Sequence, residues 1–372
     1  MKILLYISQF SSPGGAEKVT ALMANHWAEK HEVTLLSSTP INEDFFELKQ
    51  QVNRKVFGLN MSTKYTFIKL KVYISGVFRL RKMIKKIEPD IIISHIDMSN
   101  ILMLLAIRGL NIPIIVEDHN NPEMKPLSQP WKFLKSVTYA YADKIILLIP
   151  ALLSYYEKKF HNKITYIANP LNISTEINDI AEVKLVKPTF IAVGSLTKQK
   201  GLNYLLDAFA LVQKEKPDWN LTILGEGVLR KELVEYATSL KILDKVHLPG
   251  RVSNPYAILK DADIYVMSSR FEGFPVALCE AMGVGLPCIS FDCPTGPSDI
   301  INHGSNGLLV EYLNSEALAK AMILLSNNQP MRETLAKEAS KINDTLHIDK
   351  IMSQWDDVIL EVLKECLNKE KI

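Results

Sequence analysis

One stretch decides the fold of this chain: Phe190-Ile191-Ala192-Val193-Gly194-Ser195-Leu196-Thr197-Lys198-Gln199-Lys200-Gly201, which leads into a helical pattern over Leu202–Lys214. A short apolar run, a glycine-bounded loop and an amphipathic helix, in that order, are typical of the start of a βαβ unit. The same order occurs at the beginning of the chain, where the run Lys2–Ile7 precedes Gly14-Gly15 and a second helical pattern. The sequence therefore predicts two βαβ arrays.

Each array continues as an alternation of apolar runs and helical patterns. The expected strands are Lys2–Ile7, Glu32–Ser37, Ile91–His95, Ile114–Glu117, Lys144–Leu148 and Ile164–Ile167, then Phe190–Val193, Asn220–Leu224, Lys245–Leu248, Ile264–Met267 and Pro287–Ser290. Continuous apolar runs are typical of parallel strands that helices cover on both faces. The predicted fold class is α/β, with two Rossmann-like domains facing across a cleft at the carboxyl ends of their strands.

The domain boundary is expected in the weakly patterned stretch that follows Asn169-Pro170. We assign a first domain to residues 1–176 and a second to residues 177–345. Residues 346–372 carry apolar side chains at helical spacing. They predict a C-terminal helix that returns to the first domain.

Charge is distributed unevenly along the chain. The 43 basic and 41 acidic side chains give a net charge of +2, which offers no general reason to expect nucleic-acid binding. Residues 1–176, however, carry 22 basic and 15 acidic side chains, whereas the remainder carries 21 and 26. A basic first domain and an acidic second domain are therefore expected to meet different partners.

Composition also limits the compartment. The 47% hydrophobic content excludes a disordered chain, and the four cysteines form no zinc-type pair of CxxC motifs. The longest apolar runs, Ile101–Ile107 and Ile145–Leu153, are shorter than the roughly 20 residues that span a membrane. We expect a cytoplasmic protein in a reducing compartment.

Two loops at helix starts are candidate anion sites. Gly14-Gly15 would let the backbone approach an anion at a helix N-terminus, although a tight structural turn explains them equally well. Lys200 could pair with a phosphate, and a solvated surface lysine is the alternative. No Ser or Thr follows Lys200, so the loop does not fit an ATPase.

A third candidate is the segment Phe271-Glu272-Gly273-Phe274-Pro275-Val276-Ala277-Leu278-Cys279-Glu280. Its proline marks a helix start, so Glu272 lies on the preceding loop and Glu280 on the helix itself. Such a helix offers free N–H groups to a diphosphate and two carboxylates to sugar hydroxyls. A glutamate near a helix start can also serve only the helix dipole.

Together these motifs resemble the retaining glycosyltransferases of the two-Rossmann (GT-B) fold, specifically glycosyltransferase family 4. The resemblance spans nearly the whole chain. It is carried by Gly14-Gly15-Ala16-Glu17, Val193-Gly194-Ser195-Leu196 with Lys200-Gly201, Gly225-Glu226-Gly227, Phe271-Glu272-Gly273-Phe274-Pro275 with Glu280-Ala281, Gly296-Pro297-Ser298-Asp299-Ile300-Ile301 and Gly304–Val310.

The resemblance implies roles for individual residues. Lys200 would neutralise the donor diphosphate, Glu280 would bind ribose hydroxyls and Glu272 would contact the transferred sugar. His119 matches the family's cleft histidine near the anomeric centre, so the catalytic candidates are His119, Lys200 and Glu272. The donor-binding candidates are Gly14, Gly15, Gly194, Ser195, Lys200, Arg251, Val252, Glu272, Gly273, Phe274, Pro275, Val276, Ala277 and Glu280. Many relatives have Arg where this chain has Ser195, which removes one phosphate contact.

No metal or cofactor is expected beyond the nucleotide-sugar co-substrate, which the resemblance suggests is a UDP-sugar. A lysine and a helix N-terminus can stabilise a leaving nucleoside diphosphate without a metal. Asp261-Ala262-Asp263 has the form of a metal-binding DxD motif. Because it directly precedes a predicted strand, we interpret it as structural.

Basic residues concentrate between Lys64 and Lys86, where eight of them occur without an acidic residue and alternate with aromatic ones. A membrane- or acceptor-binding surface is assigned to Arg79, Arg81, Lys82 and Lys85. A helix of this kind is typical of the surface that binds an anionic membrane. The alternative is an ordinary solvated helix face. The stretch contains no recognised nucleic-acid-binding module. With the family resemblance, the expected acceptor is a polyprenyl-diphosphate-linked or other lipid-linked glycan at the inner face of the cell membrane.

The expected function is metal-independent, retaining transfer of a hexose or N-acetylhexosamine to a lipid-linked glycan in bacterial surface-polysaccharide or glycan assembly. Galactose or N-acetylgalactosamine is the preferred sugar. Two alternatives remain open: a sugar-nucleotide 2-epimerase of related fold, and a catalytically degenerate sugar- or partner-binding protein, for which Ser195 is the argument.

Overall fold

A computed structural model describes residues 1–12, 14–58, 66–119, 121–122, 124, 126–173, 183–252 and 254–369. The chain divides into two compact units. The first contains Met1–Pro170 together with Ile348–Ile372, and the second contains Leu171–His347. The first division falls six residues before the boundary expected at 176.

The first unit is built on a seven-stranded parallel sheet. Its strands are β1 (Lys2–Tyr6), β2 (Glu32–Ser37), β3 (Asn53–Val56), β4 (Ile91–His95), β5 (Ile114–Asp118), β6 (Lys144–Leu147) and β7 (Ile164–Tyr166), in the order β3-β2-β1-β4-β5-β6-β7. Its α-helices before the second unit are α1 (Gly15–Trp27), α2 (Thr66–Ile87), α3 (Asp97–Ile107) and α4 (Gln129–Thr138). The central strands are buried along their whole length, as the continuous apolar runs predicted.

Strand β3 was not predicted, because its sequence Asn53-Arg54-Lys55-Val56 is polar. It is an edge strand that pairs with β2 in parallel. Arg54 holds it in place through two hydrogen bonds of 2.8 Å to the Asp44 carboxylate. Edge strands need no continuous apolar run, so hydrophobic patterning does not detect them.

The second unit has a six-stranded parallel sheet. Its strands are β8 (Thr189–Val193), β9 (Asn220–Leu224), β10 (Val246–Gly250), β11 (Ile264–Met267), β12 (Cys288–Phe291) and β13 (Leu308–Val310), in the order β10-β9-β8-β11-β12-β13. Its helices are α5 (Leu202–Glu215), α6 (Arg230–Ser239), α7 (Pro255–Asp261), α8 (Val276–Gly283), α9 (Pro297–Ile300), α10 (Ser315–Asn327), α11 (Gln329–Ser340) and α12 (Asn343–Leu346). Strand order reverses beside β1 and β8, and α/β proteins bind ligands where it does.

The last helix, α13 (Ile348–Lys369), belongs to the first unit. Trp355 packs edge-on against Trp27 of α1 with ring centroids 6.2 Å apart, and the Trp27 indole donates to Asp356 at 2.8 Å. Lys144 of β6 pairs with Glu361 at 2.7 Å. In the described part of the chain, no helix combines the length and apolar character that crossing a bilayer requires.

Candidate active site

The loops after β8 and β11 bring Lys200 and Glu272 together in the second unit. Lys200 Nζ lies 2.6 Å from Glu272 Oε1, and Ser269 Oγ donates to the same oxygen at 2.6 Å. Glu272 is only 5% exposed. The two residues follow strands that are neighbours in the sheet, so the pairing follows from the strand order.

Two glycines make room for this arrangement. A Cβ at Gly194 would lie 2.9 Å from Lys200 Cε, so the missing side chain is the space that the lysine stem occupies. Gly201 has φ +56° and caps α5, and a Cβ there would lie 2.2 Å from the Ser268 carbonyl oxygen. Glycine is the residue that tolerates this conformation without a steric penalty.

The loop after β12 supports the Glu272 segment from the other side. Thr295 Oγ1 donates to the Glu272 carbonyl oxygen, and Gly296 packs against Pro275. Helix α8 begins at Val276, whose own N–H donates to the Phe274 carbonyl oxygen at 2.9 Å. The N–H groups that follow in the first turn lack partners within the helix and can donate to an anion.

Glu280 is buried within α8 at 4% exposure. Its Oε1 accepts a hydrogen bond of 3.1 Å from the Tyr256 hydroxyl of α7. A buried carboxylate that is held by a phenol suits recognition of a diol, because each oxygen accepts more than one hydrogen bond.

The remaining donor-binding candidates of the second unit differ in exposure. Ser195 is exposed, with its Oγ 3.3 Å from Thr197 Oγ1, and Arg251 is exposed as well. Val252 packs at the edge of the apolar core. Phe274 and Pro275 are buried, whereas Gly273, Val276 and Ala277 are partly exposed.

The DxD-like motif has structural contacts, in agreement with its interpretation from the sequence. Asp263 Oδ2 accepts from the Thr189 backbone N–H at 2.8 Å, which ties the beginnings of β8 and β11 together. Lys187 Nζ lies 3.4 Å from Asp261 and 3.9 Å from Asp263. These contacts are at the amino ends of the strands, away from the loops that carry Lys200 and Glu272.

In the first unit, Gly14 caps α1 and Gly15 is its first residue, so both lie at the helix start as predicted, but the carboxylate of Glu17 folds over Gly14. Ser12 Oγ donates to this carboxylate. The carboxylate of Glu17 therefore lies at the start of α1, where the sequence predicted a site for an external anion. An acidic residue at this position also complements the helix dipole.

His119 lies in a buried cluster that the sequence did not predict as a whole. Glu117 Oε2 is 2.6 Å from His95 Nδ1 and 3.1 Å from His119 Nε2. His95 and Glu117 are register partners on β4 and β5, and His119 is two residues beyond Glu117. Side chains two residues apart on extended backbone share a face, which places all three together.

A second buried network begins at Asp118. Its Oδ1 accepts from Asn100 at 2.9 Å and from Tyr139 at 2.7 Å, and its Oδ2 accepts from Lys135 at 2.7 Å and from Tyr156. Lys135 also donates to Asp97. The Lys135 side chain is 16% exposed, so this lysine of the basic first domain neutralises buried carboxylates and is not part of a solvated surface.

The pKa shifts in the cluster around His119 follow from these contacts. Burial alone would raise the pKa of Glu117, but the charge of His119 and hydrogen bonds from both histidines lower it to about 2. Burial lowers the pKa of His95. Burial would also lower the pKa of His119, yet the Glu117 charge and hydrogen bond raise it.

In the Asp118 network, burial and the Asp118 charge raise the pKa of Asp97. Burial opposes ionisation of Asp118, and the Lys135 charge and its hydrogen bonds overcome this and lower the pKa of Asp118. A buried network with this many charge-assisted hydrogen bonds is rigid.

Backbone strain adjoins both networks. Ile96, between His95 and Asp97, has φ +74°. Positive φ is a clear outlier for a β-branched residue and persists only where the surroundings impose it. The Ile96 N–H donates to the Glu117 carbonyl at 3.0 Å, and its own carbonyl accepts from the Asn100 N–H at 2.9 Å.

By residue type, the ligand atoms of His95, Glu117 and His119 could also hold a metal, since they lie within 4.8 Å of one another. A tetrahedral zinc keeps its ligand atoms about 3.3 Å apart, because each lies about 2.0–2.1 Å from the ion. The 2.6 Å between Glu117 and His95 is instead a hydrogen-bond distance. The spacing therefore fits hydrogen bonds among the three side chains better than coordination of a metal ion.

The four basic candidates of α2 are not equivalent. Lys82 and Lys85 are exposed, and so is Arg79, which donates to the Gly58 carbonyl at 2.8 Å. Arg81 instead donates to the carbonyls of Ala106 and Arg108, each at 2.8 Å. It thereby caps the C-terminal end of α3. Lys64, at the start of this basic stretch, lies outside the described residues.

The two parallel-sheet units, with polar groups collected at the carboxyl ends of the strands, place this chain in the class of α/β enzymes that bind nucleotides at strand ends. Comparison with known families is more specific. Residues 13–175 match the family described as Glycosyltransferase Family 4, and residues 174–342 match Glycosyl transferases group 1. The chain belongs to the GT-B glycosyltransferases and is a transferase.

Three curated relatives match nearly the whole chain. A glycosyltransferase of Campylobacter jejuni, named as the α-1,4-N-acetyl-D-galactosaminyltransferase that acts on GalNAc-α-(1→4)-GalNAc-α-(1→3)-diNAcBac-PP-undecaprenol, is 31% identical over 97% of this chain and 99% of its own. An uncharacterised glycosyltransferase of Haemophilus influenzae is 31% identical over 96% and 99%. The amylovoran biosynthesis glycosyltransferase AmsD of Erwinia amylovora is 27% identical over 96% and 99%.

Solved structures share the fold. Anabaena HepE in complex with UDP and glucose has a TM-score of 0.80 at 18% identity, over 97% of this chain and 100% of that one. The similarities favour a transferase over the sugar-nucleotide 2-epimerase that the sequence left open.

Several groups at the site were not predicted from the sequence. In the second unit these are Ser269 and Tyr256, which hold the two glutamates. In the first unit His95 ends a strand that was correctly predicted, and a histidine at such a position is the signal that could have identified it. Asn100 and Tyr139 have no signal in the local sequence, since their role depends on contacts made by the fold.

Proposed function

We propose that this protein is a retaining, metal-independent glycosyltransferase that moves a hexose or N-acetylhexosamine from a UDP-sugar to a lipid-linked glycan. The observation that carries the proposal is the ion pair between the partly exposed Lys200 and the buried Glu272 at the carboxyl ends of β8 and β11, with the buried Glu280 on the adjoining helix. A lysine, a helix N-terminus and two carboxylates provide partners for a diphosphate, a ribose and a sugar.

Each group then has a chemical task. Lys200 and the first N–H groups of α8 stabilise the charge that develops on the departing nucleoside diphosphate. Glu280 accepts hydrogen bonds from the ribose hydroxyls. Glu272 holds Lys200 in position, and the Glu272 carboxylate also contacts the transferred sugar. His119 of the first unit contacts that sugar near its anomeric carbon.

The relatives support the substrate classes. The Campylobacter jejuni relative is named for transfer of N-acetylgalactosamine to an undecaprenyl-diphosphate-linked glycan, and AmsD of Erwinia amylovora for amylovoran biosynthesis. HepE was solved with UDP and glucose. UDP-N-acetylgalactosamine and UDP-galactose are therefore the donors to test first, with a bacterial polyprenyl-diphosphate-linked glycan as acceptor.

The direct experiment incubates the full chain with individual UDP-sugars and a lipid extract that contains polyprenyl-diphosphate-linked glycans. UDP release that depends on the extract, an α-anomeric product by NMR and an unchanged rate in EDTA are the expected results. Loss of the rate in EDTA with recovery in Mn²⁺ or Mg²⁺ would contradict metal independence. Tight UDP-sugar binding without transfer would favour the degenerate binding protein instead.

We further propose that α2 and α4 rest on an anionic membrane at the inner face of the cell membrane. On α2 the exposed apolar residues Ile74 and Phe78, at 50% and 68% exposure, stand among exposed basic residues. Phe133 of α4 is 69% exposed, and Tyr73 and Trp131 join the two helices with ring centroids 4.9 Å apart. Exposed aromatic residues beside lysines are typical of an interfacial helix.

A triple variant tests the membrane surface. Arg79→Gln, Lys82→Gln and Lys85→Gln together should lower partitioning onto phosphatidylserine-containing vesicles about 100-fold, since each basic residue contributes about 1 kcal/mol. Arg81 is left in place, because it caps α3. Lys231→Gln, Lys260→Gln and Lys320→Gln in the second unit form the matched control and should change little. Equal partitioning of both triple variants and the wild type would contradict the proposal.

A further inference from the structure

Three side chains of the first unit form a hydrogen-bonded cluster whose arrangement is set by the sheet. Glu117 Oε2 contacts His95 Nδ1 at 2.6 Å and His119 Nε2 at 3.1 Å. The side chains of His95, Glu117 and His119 are 0%, 1% and 7% exposed. Because the contact between β4 and β5 fixes the first pair, the position of Glu117 is determined independently of any substrate.

The contacts determine which ring nitrogens carry hydrogen. Glu117 is ionised at neutral pH, since its pKa is about 2, and an ionised carboxylate only accepts hydrogen bonds. The nitrogens that face it, His95 Nδ1 and His119 Nε2, must therefore both be protonated. These two nitrogens are 3.5 Å apart and, as two donors, do not bond to each other.

The backbone on which His119 stands is also held. Asn100 donates to the Glu117 carbonyl at 3.0 Å and to Asp118 at 2.9 Å. Asp118 is anchored in turn by Tyr139 and Lys135, each at 2.7 Å. The chain therefore leaves β5 from a fixed point, and the imidazole of His119 has little freedom to turn away from Glu117.

We propose that Glu117 and His95 are positioning residues that hold His119 with its Nε2–H on the Glu117 carboxylate and thereby leave Nδ1 to contact a hydroxyl of the sugar substrate. This inference rests on the proposed function, in which His119 contacts the transferred sugar. His95 has the supporting role: its Nδ1–H occupies the same carboxylate oxygen and stops Glu117 from rotating. The negative charges of two further carboxylates, Asp118 and Glu17, also raise the pKa of His119.

The first test is independent of activity. Two-bond ¹H–¹⁵N spectra of the full chain with ¹⁵N-labelled histidine report the tautomer of each ring, and His95→Gln and His119→Gln assign the two signals. We expect the Nδ1–H tautomer for His95 and a hydrogen on Nε2 of His119 in the wild type. The Nε2–H tautomer at His95, or a neutral Nδ1–H tautomer at His119, would overturn the proposal even if the protein transfers sugar.

The second test separates positioning from packing. Asparagine at position 95 keeps a donor near the place of Nδ1, whereas leucine has the bulk without a donor. We expect His95→Leu to lower kcat about 10-fold, His95→Asn to recover most of the loss, and Glu117→Gln to lower kcat about 10- to 100-fold. The donor KM should stay within about twofold throughout.

Equal kcat for folded His95→Leu and His95→Asn would overturn the role of His95. If the Glu117 variant does not fold, the wild-type tautomers and the two His95 variants still decide the proposal. If the wild type transfers no sugar to any acceptor while the tautomers are as expected, the proposed function fails and the hydrogen-bond arrangement stands.

Discussion

Replacing Lys200 with glutamine is expected to lower kcat/KM for sugar transfer by about 100-fold or more. Lys200 is the cation that the structure places against Glu272 at 2.6 Å, on the loop that joins β8 to α5. Without it, the charge that develops on the leaving diphosphate loses the cation that lies beside Glu272. The rate of UDP release with a saturating acceptor measures the effect.

Two further variants make the result specific. Lys198→Gln removes an exposed charge two residues away and should leave the rate within about twofold. Lys200→Arg keeps the charge but changes its shape, and we expect an intermediate rate. A Lys200→Gln enzyme with wild-type kcat/KM would contradict both the role of Lys200 and the location of the donor site.

Replacing Lys135 with methionine is expected to destabilise the first unit by about 3–5 kcal/mol. The substitution leaves Asp97 and Asp118 buried without the cation that both contact, and Asp118 Oδ2 lies 2.7 Å from Lys135 Nζ. For a unit of this size, the loss corresponds to a lowering of the melting temperature by about 10 °C. Calorimetry of the full chain is the suitable measurement.

The control for this prediction is on the same helix. Lys132 is exposed, so Lys132→Met should shift the melting temperature by no more than about 2 °C. Adding Asp97→Asn to Lys135→Met should restore part of the stability, because one of the two uncompensated carboxylates is removed. Equal melting temperatures for the Lys135 and Lys132 variants would show that the buried network contributes little.

Much of the fold follows from the sequence for a physical reason. A parallel strand that is covered on both faces needs a continuous apolar run, and β1, β4, β5 and β8 each contain one, with polar residues only at a strand end. Strand β3 escaped detection, since an edge strand can be polar. Helices α7 and α11 were not predicted either, although each has an asparagine N-cap with a proline one or two residues after it.

Residues of the candidate site could be predicted only where neighbouring residues in the sequence mark their position. Glu272 and Glu280 could be located because a proline marks the start of their helix, and Lys200 because glycines mark its loop. The partners Ser269, Tyr256 and His95 come from other segments, so only the folded sheet reveals them.

Net charge in the first half was a weaker guide. It counted Lys135 with the surface lysines, whereas the fold buries it against two carboxylates. Arg81 likewise donates to carbonyls at the end of α3, so it is less available to a membrane surface than the exposed Lys82. Sequence counts cannot distinguish a cation that meets solvent from one that neutralises an internal acid.

The packing of α13 against α1 affects how the protein is made. The first unit is assembled from residues on both sides of the second, which is in effect an insertion within it. On the ribosome, the second unit has all of its residues before the Trp27 surface receives Trp355. Synthesis of the first unit thus begins first and ends last. Trp27 stays exposed until α13 has been synthesised, whereas the second unit can already fold.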